Sequence, residues 1–402
     1  MRIVVLDPGG YTAHYNGNLC HELALRGHEV RLDTSRYLFE NVEPLGGYEV
    51  RHLFFNSIPR HGGISRWGPT RQLAKAVVYP TELRSWARLL RRDPPDVLHV
   101  QWSHLPPLDV RVFRSLQQEG VRLVFTAHEL PRGRRGPWVG AFSEFCRLAE
   151  AVVVHASAPA QRLVAELGVP EARVHVVPMG GPGRYAAAPV SRADARSRLG
   201  IDEGVQLALF FGLIKPHKGL DVLLESLPLA RRRLPSLQLL VAGRPMVRWR
   251  RYDAQIEALG LRDVVHLRLD FVPSEELNVV FGAADAVVTP YKRAAQSMVV
   301  LTAWQFGRPV LATRVGGLPE LIRDGVSGRL AEPNDPVDLA RVLTDMLSDE
   351  EGLKRMSSGA VAMSSGPHAW GSIAATHEQI YESLEVRDES RPSRHTAGRS
   401  RS

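Results

Sequence analysis

Two lysines stand in the run Gly212-Leu213-Ile214-Lys215-Pro216-His217-Lys218-Gly219. Ammonium groups beside glycines suit a diphosphate, because lysine supplies a point charge and glycine allows close backbone approach. A second stretch, VVTPYKRAAQSMVVLTAWQFGRPVLATRVGGLPE, covers Val287 to Glu320. Its apolar run ends at Pro290, a polar turn follows, and a helix-like segment begins near Ser297, an acceptable N-cap. The amides of Gln296, Ser297 and Met298 then fall in a first helical turn, where N–H groups lack partners and anions bind. The same pattern also fits an ordinary βαβ crossover. His128, in Thr126-Ala127-His128-Glu129, follows an apolar run where open α/β sheets place site residues; a structural histidine fits there too. Arg132, Arg134 and Arg135 come next in a Pro/Gly-rich loop, as a clamp for phosphate or carboxylate or as a solvated loop. Near the start, Asp7-Pro8-Gly9-Gly10-Tyr11 offers amides at Gly10 and Tyr11 to a phosphate, without a GxGxxG fingerprint.

These residues need strands and helices to hold them. Ile3 to Leu6 reads as a buried strand, the segment from Asn18 to Arg26 as a helix, and Glu29 to Leu32 as strand. Strand-like runs recur at 97–100, 123–126, 151–155 and 174–177. Residues 56–95 are irregular and arginine-rich, apart from a helix over Thr81 to Arg92 with Thr81 as its N-cap. Leu83, Trp86 and Leu90 fall on one side of it, and Arg84, Arg88 and Arg91 on another. That basic side is either a solvated face or a contact with an anionic membrane. From Pro178 the chain turns Gly/Pro/Ala-rich and loses periodicity, which marks a domain boundary. A second series follows: strands at 207–212, 237–242, 264–267 and 286–289, with helices between. The expected architecture is α/β, two facing doubly wound domains with a cleft between them. Residues 1–185 and 186–367 form the domains, 368–385 a closing helix and 386–402 a disordered tail.

Bulk properties narrow the class. With 402 residues, 44% hydrophobic and 23% charged, the chain is an ordinary globular protein large enough for two cores. Cys20 and Cys146 form no disulfide framework, and no apolar run approaches a membrane span, so the expected location is cytoplasmic. Net charge is +8, yet only five of the 51 basic residues are lysine. Codon bias toward arginine explains that without function. No zinc-ligand spacing or aromatic-interleaved basic ladder points to nucleic acid.

The motifs together resemble the family-4 retaining glycosyltransferases of the GT-B fold, over about residues 1 to 385. GLIKPHKGLDVLLESL is similar to the family's Gly-Arg-Leu…Lys-Gly segment, and residues 287–335 to its donor-binding unit. LALRGHEV, DVLHVQ and VFTAHEL match more loosely, and VVPMGGPGRY stands at the interdomain turn. The resemblance implies two Rossmann-like domains and transfer of a sugar from a nucleotide-sugar to a hydroxyl acceptor with retention. That acceptor is a lipid-linked glycan precursor, a polysaccharide repeat or a small natural product. No metal or other cofactor is expected. By position, Lys218 matches the lysine on the diphosphate, with Lys215 near the place of a family arginine that is Leu213 here. Gly212 belongs to the same loop. Gln296, Ser297 and Met298 match the amides on the distal phosphate, His128 the histidine near the donor sugar, and Gly10 and Tyr11 the first-domain loop.

One departure stands out. The family's two glutamates before the Gly-x-Pro-Val turn are Ala294 and Thr302 here, which resembles a branch carrying a Gln-Ser run instead. Gln296 then serves the sugar and Thr302 the ribose. A sugar-nucleotide binding protein without turnover is the rival from another class. A same-fold epimerase or phosphorylase is a further one, although an epimerase needs carboxylates beside the sugar.

Overall fold

The structure, a computed structural model, describes residues 1–59, 69–131, 133, 136–294 and 296–389. The first sheet holds β1 (Arg2–Asp7), β2 (Glu29–Thr34), β3 (Glu49–His52), β4 (Val97–Val100), β5 (Arg122–Thr126), β6 (Ala151–Val154) and β7 (Val174–Val176). Their spatial order is β3-β2-β1-β4-β5-β6-β7, and every pair is parallel. The second sheet holds β8 (Gln206–Phe211), β9 (Leu237–Ala242), β10 (Val265–Arg268), β11 (Ala286–Thr289), β12 (Val310–Thr313) and β13 (Gly328–Ala331). Its order is β10-β9-β8-β11-β12-β13, again all parallel. Strands such as β4 and β6 are buried along their whole length. That is why they read as continuous apolar runs rather than alternating ones: helices cover both faces of a parallel sheet.

Each order reverses once, between β1 and β4 in the first sheet and between β8 and β11 in the second. Loops leaving the strand ends at such a reversal diverge and open a crevice. Four loops are therefore set apart: after β1, after β4, after β8 and after β11. The two domains meet across these edges, with Phe39 stacked on Phe271 at 5.0 Å and Ser274 donating to Glu40 at 2.8 Å.

Two elements differ from the reading of the sequence. The basic helix is Pro69–Arg92, with Pro80 inside it, so Thr81 caps nothing; its hydroxyl instead donates to the Val78 carbonyl at 2.8 Å. The helix continues N-terminally because Tyr79, Leu83, Trp86 and Leu90 bury one unbroken face, and core packing outweighs one lost backbone bond. Its arginines 84, 88 and 91 are exposed. The last helix, Trp370–Glu389, runs into the segment expected to be disordered, and residues 390–402 lie outside the described ones. This helix packs back on the first domain, where Trp370, Ile373 and Tyr381 share a core with Ile3, Tyr15 and Leu19.

Candidate functional site

Lys218 joins two of the loops. Gly212 ends β8 with φ +99°, and a Cβ built there would lie 2.9 Å from Lys218 Nζ. The same ammonium lies 5.5 Å from the centroid of the Tyr291 ring, in the loop after β11. Gly219 turns with φ +71° so close to Pro290 that any Cβ would collide with its carbonyl oxygen. The Lys292 amide donates to the His217 carbonyl at 2.8 Å. Lys292 Nζ is neutralised by Asp221 at 2.7 Å. Among the described residues neither Lys215 nor Lys218 has an ion-pair partner. Two ammonium groups thus remain for an anion.

The helix Met298–Gln305 starts beside Gly212 and Lys218, a Cβ at Gly212 lying 3.5 Å from Val299. Ser297 occupies the N-cap position without a side-chain cap; its hydroxyl is 3.3 Å from the Tyr291 hydroxyl instead. First-turn amides are left for a ligand, at the positive end of the helix. Gln296 points the other way: its amide donates to the His155 carbonyl in the first domain at 2.9 Å. Thr302 is buried, and its hydroxyl donates to the Met298 carbonyl at 2.8 Å within its own helix. Ala294 packs against the apolar core of the second domain. Neither of the two positions that depart from the family pattern presents a polar group outward in this conformation.

On the facing edge, His128 stacks on Trp102 at 5.1 Å, and both of its nitrogens are engaged, by Gln101 and His155. Burial, with His155 adding to it, holds the ring well below the ordinary histidine range. Gly10 has φ +61° and lies against Ser35. Tyr11 extends from that loop, its ring edge-on to Trp102 with centroids 5.4 Å apart, and burial raises its phenol to about 12. Arg132, Arg134 and Arg135 lie outside the described residues.

Several residues here escaped the reading of the sequence. Lys75 is buried, its ammonium 4.8 Å from the Tyr11 ring centroid and 4.6 Å from that of Phe55. Burial, and then the Arg71 charge one turn away, pull it down to about 8. Among the described residues it has no ion-pair partner, although the Asp7 carboxylate pulls it weakly the other way. With Gly10, Tyr11 and Arg71 it lines a cavity of about 200 Å³ whose far wall includes Leu213 of the second domain. A larger hollow of about 450 Å³, lined by Arg2, Glu29 and Asp93, lies at the opposite strand ends, away from these loops. Lysine scarcity was the signal available: Lys75 is one of only five.

Residues 12–180 match the family described as Glycosyltransferase Family 4, and residues 191–363 the one described as Glycosyl transferases group 1. A D-inositol 3-phosphate glycosyltransferase from Nocardia farcinica is 36% identical over 94% of this chain and 84% of that protein. The chain belongs to the family-4, group 1 glycosyltransferases. A Streptosporangium roseum relative of the same name is 31% identical over 93% of this chain and 88% of its own length. The match to one from Streptomyces coelicolor is 34% identical but spans about half of that relative, 52%.

The glycosyltransferase fold extends to solved structures. Sucrose-phosphate synthase from Thermosynechococcus elongatus superposes with TM-score 0.73 at 20% identity, over 96% of this chain and all of that one. The Anabaena protein HepE in complex with UDP-glucose gives 0.68 at 20% identity, with 96% and 100% covered. This glycosyltransferase therefore shares their fold, two doubly wound domains facing one another. No helix among its described residues is long and apolar enough to cross a membrane.

Proposed function

We propose that the enzyme transfers a sugar, with retention, from a nucleoside diphosphate sugar held by the second domain to a hydroxyl of an acceptor held by the first. The observation that carries this is the place of Lys218, its ammonium between Gly212 and Tyr291 at the second domain's strand-order reversal. As the sugar departs, charge builds on the diphosphate. Lys218, Lys215 and the amides of Ser297 and Met298 meet that charge from fixed positions, which is where preorganised groups act most strongly. The acceptor hydroxyl approaches from the same face and gives its proton to the leaving phosphate oxygen. This division of labour needs neither a metal nor a paired carboxylate. Gln296 and Ser297, with Ala294 and Thr302 at the glutamate positions, support a reading of the chain as one of a branch that dispenses with the two glutamates. Closure turns about the segment 178–189, where Gln305 holds Gly183 by bonds of 2.9 and 2.8 Å.

Lys75 favours an acceptor bearing an anionic group. A buried ammonium between the Tyr11 and Phe55 rings is stabilised when an anion joins it, and a phosphate is the group printed in the relatives' names. A second contact is carried by the helix Pro69–Arg92, which exposes Leu73 and Val77 in line with Arg84 and Arg88. That face suits a surface of anionic lipid, and cosedimentation with phosphatidylglycerol vesicles tests it.

The experiment for the main reading is a panel of UDP-, GDP- and dTDP-sugars scored by thermal shift, then by nucleotide release with phosphorylated and neutral acceptors, with and without EDTA. Acceptor-dependent release from one donor, unaffected by EDTA, is the expected result. Binding without release under any acceptor would return the protein to a non-catalytic role. Exchange of donor sugars without acceptor would make it an epimerase.

A further inference from the structure

Loops from both strand-order reversals meet at the cavity of about 200 Å³. Gly10 and Tyr11 follow β1 in the first domain, and Leu213 follows β8 in the second. Leu38 and Phe39, from the loop after β2, close a side, and Lys75 of the helix Pro69–Arg92 lines another.

These walls are held in place. The Tyr11 ring folds back over Gly9, where any Cβ would collide with it, and meets Trp102 edge-on. Phe39 stacks on Phe271 of the second domain, and beside it Glu40 accepts two bonds from Ser274, at 2.8 and 2.9 Å. Leu213 stands between two anchored residues. The Gly212 amide donates to the Ala242 carbonyl at 2.9 Å, and the Ile214 amide to that of Arg244 at 2.9 Å. The cavity therefore keeps its shape before a ligand arrives, as small-molecule sites generally do.

Its lining is mostly apolar. Tyr11, Leu38, Phe39 and Leu213 present rings and methyl groups. The Gly10 amide already donates to the Asp7 carbonyl at 3.1 Å, and Arg71 donates to the Pro59 carbonyl at 2.7 Å. No carboxylate is among the described residues that line it. One strong polar group is left for a ligand: the Lys75 ammonium, 4.8 Å from the Tyr11 centroid and without an ion-pair partner among the described residues. A polyol would bring several hydroxyls here, and each one left without a partner weakens binding. An aromatic ring brings none, and an apolar cavity of about 150 Å³ already takes benzene. Aromatic walls also suit a flat ring.

We propose that this cavity seats the body of the acceptor, that the body is an aromatic ring carrying one anionic group, a phosphate or a carboxylate, and that Leu213 is the specificity-determining residue that favours it over a polyol bearing the same group. The anion meets Lys75, the ring packs on Tyr11, Phe39 and Leu213, and a ring hydroxyl is left on the side of the loop that carries Gly212 and Lys218. That the occupant is an acceptor rests on the sugar-transfer reading; the preference of the cavity does not.

The test is titration calorimetry of the full chain at pH 7 with phenyl phosphate, benzoate and inositol 1-phosphate. Phenyl phosphate or benzoate should bind about ten- to a hundredfold more tightly than inositol 1-phosphate, the range over which an apolar pocket discriminates against added hydroxyls; the tighter of the two names the anion. Leu213→Asn, similar in size and polar, should cut that preference about tenfold. Lys75→Met should weaken the aromatic ligand at least as much, and Lys218→Ala should leave it unchanged, which separates this seat from that of the donor diphosphate. Equal or tighter binding of inositol 1-phosphate by the wild-type chain overturns the proposal without any variant having to fold, and so does no binding of either aromatic probe. An undiminished preference in a folded Leu213→Asn overturns the part given to Leu213. If the probes rank as expected but 4-hydroxyphenyl phosphate elicits nucleotide release from no donor, the sugar-transfer reading fails and the preference of the cavity stands.

Discussion

The side-chain amide of Gln296 donates across the cleft to the backbone carbonyl of His155 at 2.9 Å. One residue after Gln296 in the second domain is the start of the helix offered to the donor phosphates; the ring of His155 in the first supports His128. The same seam is closed nearby by Glu320, which accepts from the Ser157 amide at 3.0 Å. Closure and donor binding are therefore joined at one point. Gln296→Ala should weaken this closed form and raise donor KM about three- to tenfold, one hydrogen bond being worth roughly 0.5–1.5 kcal/mol. Steady-state kinetics across donor concentrations reads it directly, and an unchanged KM would uncouple the seam from the site.

Gly212 and Lys218 should fail together. A Cβ at Gly212 crowds the Lys218 ammonium and sits at a φ of +99°, so Gly212→Ala costs ~1–3 kcal/mol in backbone strain and displaces the charge. Lys218→Ala should lower kcat/KM by well over tenfold, an electrostatic contact to developing charge being worth ~2–4 kcal/mol. Combining the two substitutions should cost little more activity than Lys218→Ala alone. Fully additive losses would mean that Gly212 acts by another route.

Lys75 must be charged to hold an anion, and its ammonium is pulled down to about 8. Binding of a phosphorylated acceptor should therefore weaken as pH rises through about 8, while binding of the bare nucleotide does not. Lys75→Met, close in shape and without charge, should remove that pH dependence and raise acceptor KM. Titration calorimetry at pH 7 and pH 9 separates the two ligands.

Acid should destabilise the fold before it protonates the carboxylates. Burial lowers His155 and His377 to about 4, whereas an unfolded histidine titrates near 6.5. Between those values the unfolded chain binds protons that the native chain refuses, so stability falls as pH falls, by about 1.4 kcal/mol per unit for each such histidine. The loss begins below about 6.5 and levels off below about 4. Urea midpoints from pH 7.5 to 4.5 should drop accordingly, and His377→Gln should flatten the slope.

Much of this arrangement was legible in the chain. Buried parallel strands announce themselves as short apolar runs, so the strand ends, and with them Gly212, Lys218, Gln296 and His128, could be located. Lys75 was not, because Pro80 and Thr81 imitate a helix start and hide the turns before them. His155 was missed for a different reason: it closes a strand by sequence, and only the register of β5 against β6 brings it to His128. Gln101 follows β4 opposite Thr126 and reaches His128 diagonally, two residues further along. Hydrogen bonds between neighbouring strand ends have no local signature.

The central assignment is the seat of the donor's diphosphate. A crystal structure with the nucleoside diphosphate selected by the donor panel tests it most directly. Its phosphates should lie within ~3.2 Å of Lys218 Nζ and of the Ser297 or Met298 amide. Phosphates seated on the Gly9–Gly10 loop of the first domain, or out of reach of Lys215 and Lys218, would contradict it.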